Sequence, residues 1–136
     1  MAIGVCLSLA AVLQAAPVFV PVRQFTLAWT HSIEKVRWEE DYAVIADERA
    51  PQTARLLALK ARVRGSAAGM EPPDTAVLRD GWYEYSPAIA SPTELRLTRS
   101  EFTADYDWCT DQGCHSLATL LPSDSGVTLL KPCQSP

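Results

Sequence analysis

A two-residue alternation of apolar and polar side chains recurs along this chain, and it constrains the fold more than any other feature. Residues 23–31 and 36–44 both alternate in this way, and only residues 32–35 separate them. Successive side chains of a strand point to opposite faces of a sheet, so each segment is expected to form a strand with two different faces. The short separation predicts that the two strands form a hairpin.

The hairpin also predicts which residues face each other. If residues 32–35 form the loop, Trp29 faces Trp38 and Leu27 faces Glu40. His31 and Glu40 then share one face but lie about 13 Å apart, at roughly 3.3 Å per residue. This distance is too long for a direct hydrogen bond, but it leaves room for a ligand between the two side chains, with the tryptophans as a platform.

Further short segments share the same character and are separated by proline-rich or glycine-containing stretches. The chain holds 10 prolines and 6 glycines, which favours many chain reversals over long helices. Residues 55–64 are rich in helix formers, yet their alternation favours a strand. The remaining candidate strands are residues 82–85, 94–98, 102–109, 114–121 and 127–130. We therefore expect an all-β, mainly antiparallel fold: a small β-sandwich or barrel of about seven or eight strands.

The length of the chain, 136 residues, is sufficient for one domain. Residues 1–16 carry no charge and include a compact apolar run, which is typical of a signal peptide or an N-terminal anchor. A buried strand is a third interpretation of this run. We expect a single β domain over residues 17–131 and a tail over residues 132–136. The leader predicts export to the periplasm or the extracellular space, with membrane contact only through an uncleaved N-terminal segment.

The cysteines agree with an oxidising compartment. Cys109 and Cys114 bracket a short loop between two candidate strands, and facing residues of an antiparallel pair lie within disulfide reach. A disulfide is therefore expected there, in preference to a metal site with His115 or to a catalytic redox pair. Cys133 is then free, joined to another molecule, or paired with Cys6 if the leader is retained.

The densest group of ionisable side chains beside aromatic ones lies in and around the predicted hairpin. A carboxylate on an apolar strand face is costly unless it is paired or contacts a ligand, and Glu40 interrupts such a face. The structural alternatives are that this face is solvated or that Glu40 pairs with Arg62 or Arg64. The candidate ligand-binding residues are His31, Ser32, Glu34, Glu40, Trp29 and Trp38.

Charge and composition exclude one class of partner. The net charge is −4 and the basic residues are scattered, so the electrostatic pattern of nucleic-acid binding is missing. No cofactor is expected and no metal ligands or catalytic residues are assigned.

The segment from Phe25 to Tyr42, with its Thr-His-Ser-x-Glu and Glu-Glu motifs, resembles the bacterial family called domain of unknown function 1850. The Gly-Ser-Ala-Ala-Gly-Met-Glu-Pro-Pro stretch at residues 65–73 and the Asp-Gly-Trp-Tyr of residues 80–83 extend the resemblance, which covers about residues 25–120. It implies a small exported or membrane-associated protein, often encoded beside TRAP transporters of the TAXI type. It supplies no catalytic residues.

These observations favour a non-enzymatic periplasmic accessory protein that binds a small acidic solute or a TRAP transporter component. Two alternatives belong to other classes. One is a small hydrolase or metal-dependent enzyme that uses His31, Glu34 and Glu40. The other is a structural interaction domain without a ligand.

Overall fold

The computed structural model describes residues 2–12, 14–30, 35–64 and 75–135. Eleven strands and one short 3-10 helix occur in this part of the chain. In chain order they are β1 (Ile3–Leu9), β2 (Val18–Pro21), β3 (Gln24–Thr30), β4 (Arg37–Asp47), β5 (Ala50–Arg64), β6 (Val77–Arg79), β7 (Trp82–Tyr85), β8 (Leu95–Thr98), β9 (Asp107–Thr110), β10 (Gly113–Ser116), the 3-10 helix Leu117–Thr119, and β11 (Val127–Gln134).

The strands form two antiparallel sheets that pack as a sandwich. One sheet has four strands in the order β2-β1-β11-β8, and the other has seven in the order β10-β9-β3-β4-β5-β7-β6. The all-β, antiparallel prediction is confirmed, and the architecture is the sandwich rather than a closed barrel. The described strands outnumber the expected seven or eight: β2 and β6 match none of the candidate strands, and β1 lies in the apolar run, for which a buried strand is only the third interpretation.

The β3–β4 hairpin has the register that its alternation predicts. Trp29 pairs with Trp38 and Leu27 pairs with Glu40. Residues 31–34 lie outside the described part of the chain, and so does the expected pairing of His31. The confirmed register places the two tryptophans and Glu40 on one face of the larger sheet.

β5 is a strand, as its alternation predicts, but it contains a bulge. Asp41 pairs with Lys60 while the next residue, Tyr42, pairs with Ala58, so Leu59 is left over. An extra residue shifts the alternation by one position. Leu56 is therefore fully buried, whereas Leu59, expected on the same face as Ala61 and Val63, is 41% exposed.

Residues 3–9 form a central strand of the smaller sheet. β1 pairs with β11 on one side and with β2 on the other. Val5 and Leu7 are fully buried, and a Cβ atom at Gly4 would collide with the carbonyl oxygen of Val20. The run that resembles a leader is thus part of the domain in this fold, because its alternate apolar residues satisfy a buried strand face. Cleavage after residue 16 remains a prediction, and it would remove β1.

Two disulfides join neighbouring strands. The predicted Cys109–Cys114 bond links directly paired residues of β9 and β10, with Cα atoms 4.1 Å apart. The second bond joins Cys6 of β1 to Cys133 of β11 across 127 residues of sequence. Cys133 was expected in a tail, but β11 continues through it to Gln134. In the described residues no cysteine is free. Of the three possibilities considered for Cys133, the structure has the pairing with Cys6, which requires the leader to be retained.

The core contains a buried cation that holds three segments together. Arg99 is 2% exposed, and its guanidinium donates to both carboxylate oxygens of Asp105, at 2.9 and 2.6 Å, and to the hydroxyl of Thr128. These bonds fix the segment after β8 against β11 and position the approach to β9. Across residues 2–12, 14–30, 35–64 and 75–135, no helix is long and apolar enough to cross a membrane.

Candidate functional site: a carboxyl group on an aromatic face

The outer face of the larger sheet carries a network of paired charges. Arg62 of β5 donates to Glu39 at 2.7 Å and to Asp41 at 2.8 Å, and Arg37 donates to Glu39 at 2.9 Å and to Asp107 at 3.1 Å. Although burial alone raises the pKa of Asp41, hydrogen bonds from Arg62 and Thr26 lower it below its ordinary value. Cross-strand pairs of opposite charge stabilise a sheet, so this face has a structural role.

Glu40 points to the opposite, inner face. It lies in a row of paired residues that runs across the sheet through Leu27, Glu40, Ala61 and Tyr85. Its carboxylate accepts a hydrogen bond of 2.9 Å from the hydroxyl of Tyr42. One of the two structural alternatives, an ion pair with Arg62 or Arg64, is wrong: Arg62 is engaged on the other face, and Arg64 lies over the Trp82 ring at 5.3 Å.

Aromatic residues lie on the same face of the sheet as Glu40. Trp29 and Trp38 stack nearly parallel, with centroids 6.2 Å apart, and the Tyr106 ring lies 5.7 Å from Trp29. All of these side chains are partly exposed except Tyr42, which is buried. We call this group the Glu40 cluster; its members are Trp29, Trp38, Glu40, Tyr42, Tyr85 and Tyr106.

The surroundings change how these groups titrate. Burial raises the pKa of Glu40 above its ordinary value, and the hydrogen bond from Tyr42 opposes this shift only in part. Burial, followed by the charge of Glu40, also raises the pKa of Tyr85 and of Tyr106. The phenols therefore stay protonated over the physiological range, whereas Glu40 takes up its proton at a higher pH than an exposed glutamate does.

Trp38 adds a polar atom without a partner. Its indole nitrogen is buried and makes no hydrogen bond to the described residues. A buried N–H without an acceptor costs about 1–3 kcal/mol, so within the described part of the chain this group is an unsatisfied donor.

The structure brings together part of the predicted site. Trp29, Trp38 and Glu40 lie on one face, as expected. His31, Ser32 and Glu34 lie outside the described residues. Sequence reasoning missed three tyrosines of the cluster as site residues. Tyr42 carried a usable signal, since it is two residues from Glu40 on the same alternating face, while Tyr85 and Tyr106 come from distant segments whose placement requires the sheet order.

Metal chemistry has no described ligand set. In the parts of the chain that the structure covers, no three His, Cys, Asp or Glu side chains come close enough to hold a metal ion. Within the same residues, the partner of the Glu40 carboxylate is a phenol.

A separate cleft lies near the start of β3, at the other end of that strand from Trp29. Its volume is about 900 Å³, and its wall combines buried apolar residues such as Val44 and Trp108 with the polar side chains of Arg23 and His115. His115 is exposed and its Nδ1 lies 2.6 Å from the hydroxyl of Thr119. This cleft does not include any residue of the Glu40 cluster.

The fold and the site define an antiparallel sandwich protein with an acidic group set among aromatic rings. The family model for a domain of unknown function, DUF1850, matches residues 25–117, and the chain belongs to this family. The matched segment contains the complete Glu40 cluster. Comparison with curated proteins and with solved structures gave no match.

Proposed function

We propose that this protein is an exported, non-catalytic accessory protein that binds a small solute at the Glu40 cluster. One observation carries the proposal: a partly buried carboxyl group faces aromatic rings and has only a phenol as its described partner. Such an arrangement costs folding free energy, which is the expected property of a group retained for binding.

The geometry supports binding better than catalysis. A nucleophile must lie within about 3.2 Å of the base that activates it, and the hydrogen bond described at Glu40 joins it to Tyr42, whose pKa is raised well above its ordinary value. The partly exposed rings of Trp29, Trp38 and Tyr106 supply contact area instead. A flat, rigid aromatic surface binds a ligand at low cost in side-chain entropy.

A purely structural role explains the outer face better than the inner one. The charges of Arg37, Glu39, Asp41 and Arg62 are paired with one another. Glu40 has no such pairing with the described residues, although an apolar residue at the same position would extend the face made by Trp38 and Tyr42.

Two further observations support export and a role in solute uptake. Both disulfides require an oxidising compartment to form and persist, which favours export. The resemblance to a family often encoded beside TRAP transporters of the TAXI type suggests a role in solute uptake. The transporter component or the solute itself is then the partner.

Native mass spectrometry of the full chain isolated from the bacterial periplasm tests the proposal. We expect a species heavier than the bare chain by the mass of one small solute. Glu40→Gln should lose this species, because the amide keeps an acceptor for Tyr42 but removes the charge. Glu48→Gln, an exposed position, should retain it.

The outcome that would contradict solute binding is equally plain. If wild type and both variants carry no bound mass, and if no member of a panel of amines, carboxylates, sugars and amino acids raises the melting temperature, the cluster is not a solute site.

A further inference from the structure

We infer that the Glu40 cluster selects a small organic cation, specifically one with an alkylated ammonium group. This inference rests on the proposed function and specifies the ligand class for the same site. Three observations support it: the position of the Glu40 carboxylate, the pairing of the neighbouring cations with other carboxylates, and the aromatic rings on the same face.

The carboxylate of Glu40 lacks a cation on its own face among the described residues. Arg37 and Arg62 are bound to carboxylates on the outer face. Lys60 pairs with Asp41 in the β4–β5 ladder and so lies on that outer face as well. Arg99 is held by Asp105, which leaves the negative charge of Glu40 available to a ligand.

The rings beside Glu40 suit a cation with a weakly hydrated, apolar surface. Aromatic faces attract cations through the ring quadrupole, by about 0.5–2 kcal/mol each, and tryptophan is the strongest. Trp29 and Trp38 stand as parallel neighbours, and Tyr106 is inclined to Trp29 by 56°. The two ring orientations offer an alkylammonium ion apolar contact, and the carboxylate compensates its charge.

The same arrangement disfavours the small acidic solute expected from the sequence. A carboxylate ligand would meet the like charge of Glu40 without a described cation to offset it.

The affinity for such a cation should depend on pH. Among the residues that the structure describes, the titratable groups that face Glu40 are Tyr42 from its own strand, Tyr85 from β7 and Tyr106 from the segment before β9. The pKa values of these phenols are raised, so they remain neutral. Binding should therefore strengthen as the pH rises through the pKa of Glu40 and then level off.

Three probes of nearly equal shape test the inference: choline, the uncharged 3,3-dimethylbutan-1-ol, and the anion 3,3-dimethylbutanoate. Each is titrated into the full chain while the indole N–H signals are followed by NMR. We expect choline to shift the Trp29 and Trp38 signals. The signal of Trp82, which pairs with Arg64 in the β5–β7 ladder away from the cluster, serves as an internal reference.

The expected margin is about tenfold tighter binding of choline than of the uncharged alcohol, equivalent to ~1.4 kcal/mol. Glu40→Gln should remove this margin, and Glu48→Gln should keep it. Equal binding of choline and the alcohol, or no shift with choline, overturns the inference. Tighter binding of the anion also overturns it while leaving solute binding, the proposed function, intact.

Discussion

At the scale of single residues, Glu40 makes the stability of the domain depend on pH. Because its pKa is raised in the folded state, the folded protein holds this proton more tightly than the unfolded chain does. The contribution of Glu40 to the free energy of unfolding should therefore fall as the pH rises from its unfolded pKa through its folded pKa, and the loss persists above that range. Glu40→Gln should remove this decrease and leave the melting temperature at neutral pH within a few degrees, or slightly higher.

Urea unfolding of wild type and Glu40→Gln at several pH values between 4 and 8 measures this effect (the range brackets the ordinary value of about 4.3). Glu48→Gln is the matched control, since it makes the same change at an exposed position of the chain. A Glu40→Gln chain that is strongly destabilised at neutral pH would instead make Glu40 a structural partner of Tyr42.

Individual residues also show how much of the Glu40 cluster can be predicted from the sequence. The alternation in β3 and β4 was enough to place Trp29, Trp38 and Glu40 together, because a two-residue period fixes both face and register. It could not place Tyr106, which lies outside a strand and reaches Trp29 through the packing of β9 beside β3. Contacts between distant segments depend on strand order, which no local pattern encodes.

At the scale of elements, the two disulfides should differ in their effect on stability. Cys6–Cys133 spans 127 residues and Cys109–Cys114 spans 5. In the chain-entropy model the long loop contributes about 5 kcal/mol and the short one about 2 kcal/mol. Cys6→Ser with Cys133→Ser should therefore lower the free energy of unfolding more than Cys109→Ser with Cys114→Ser.

Urea unfolding of the two double variants, without reductant, makes the comparison. The hairpin variant is the natural control, since it also loses one disulfide between paired strands. Equal losses would mean that loop length does not govern the effect, and a larger loss in the hairpin variant would assign the main stabilising bond to β9 and β10.

The pairing of the strands also explains the two main differences between the structure and the sequence predictions. The apolar run of residues 3–9 satisfies two descriptions, a leader and a buried strand, because both require apolar residues in a short segment. The strand description depends on the pairing with β11, and that partner lies at the far end of the sequence, where no local pattern indicates it. In β5, alternation identified the strand, but the bulge at Leu59 arises from its pairing with β4 and left no local signal.

At the scale of the whole molecule, export and the integrity of the smaller sheet are linked. If the protein is exported with β1 retained, peptide mapping of chain isolated from the periplasm without reductant should find Cys6 joined to Cys133 and Cys109 joined to Cys114. The physical reason is that β1 is a central strand whose removal would expose the core residues that pack on Val5 and Leu7.

The intact mass of the same preparation provides the second reading. A mature chain that begins after residue 16, with an unpaired Cys133, would show that the apolar run acts as a cleaved leader. Chain found only in the cytoplasm, with four reduced cysteines, would contradict export altogether.

The two ends of the described chain leave the sandwich side by side. The backbone N–H of Ser135 donates to the carbonyl of Ala2 at 2.8 Å, and Ala2 lines the cleft beside Gln24 at the start of β3. Trp29 is five residues further along that strand, about 17 Å away at the usual rise. A tether attached at either end would therefore hold the molecule near the start of β3, and the two tryptophans of the Glu40 cluster would lie at the other end of that strand.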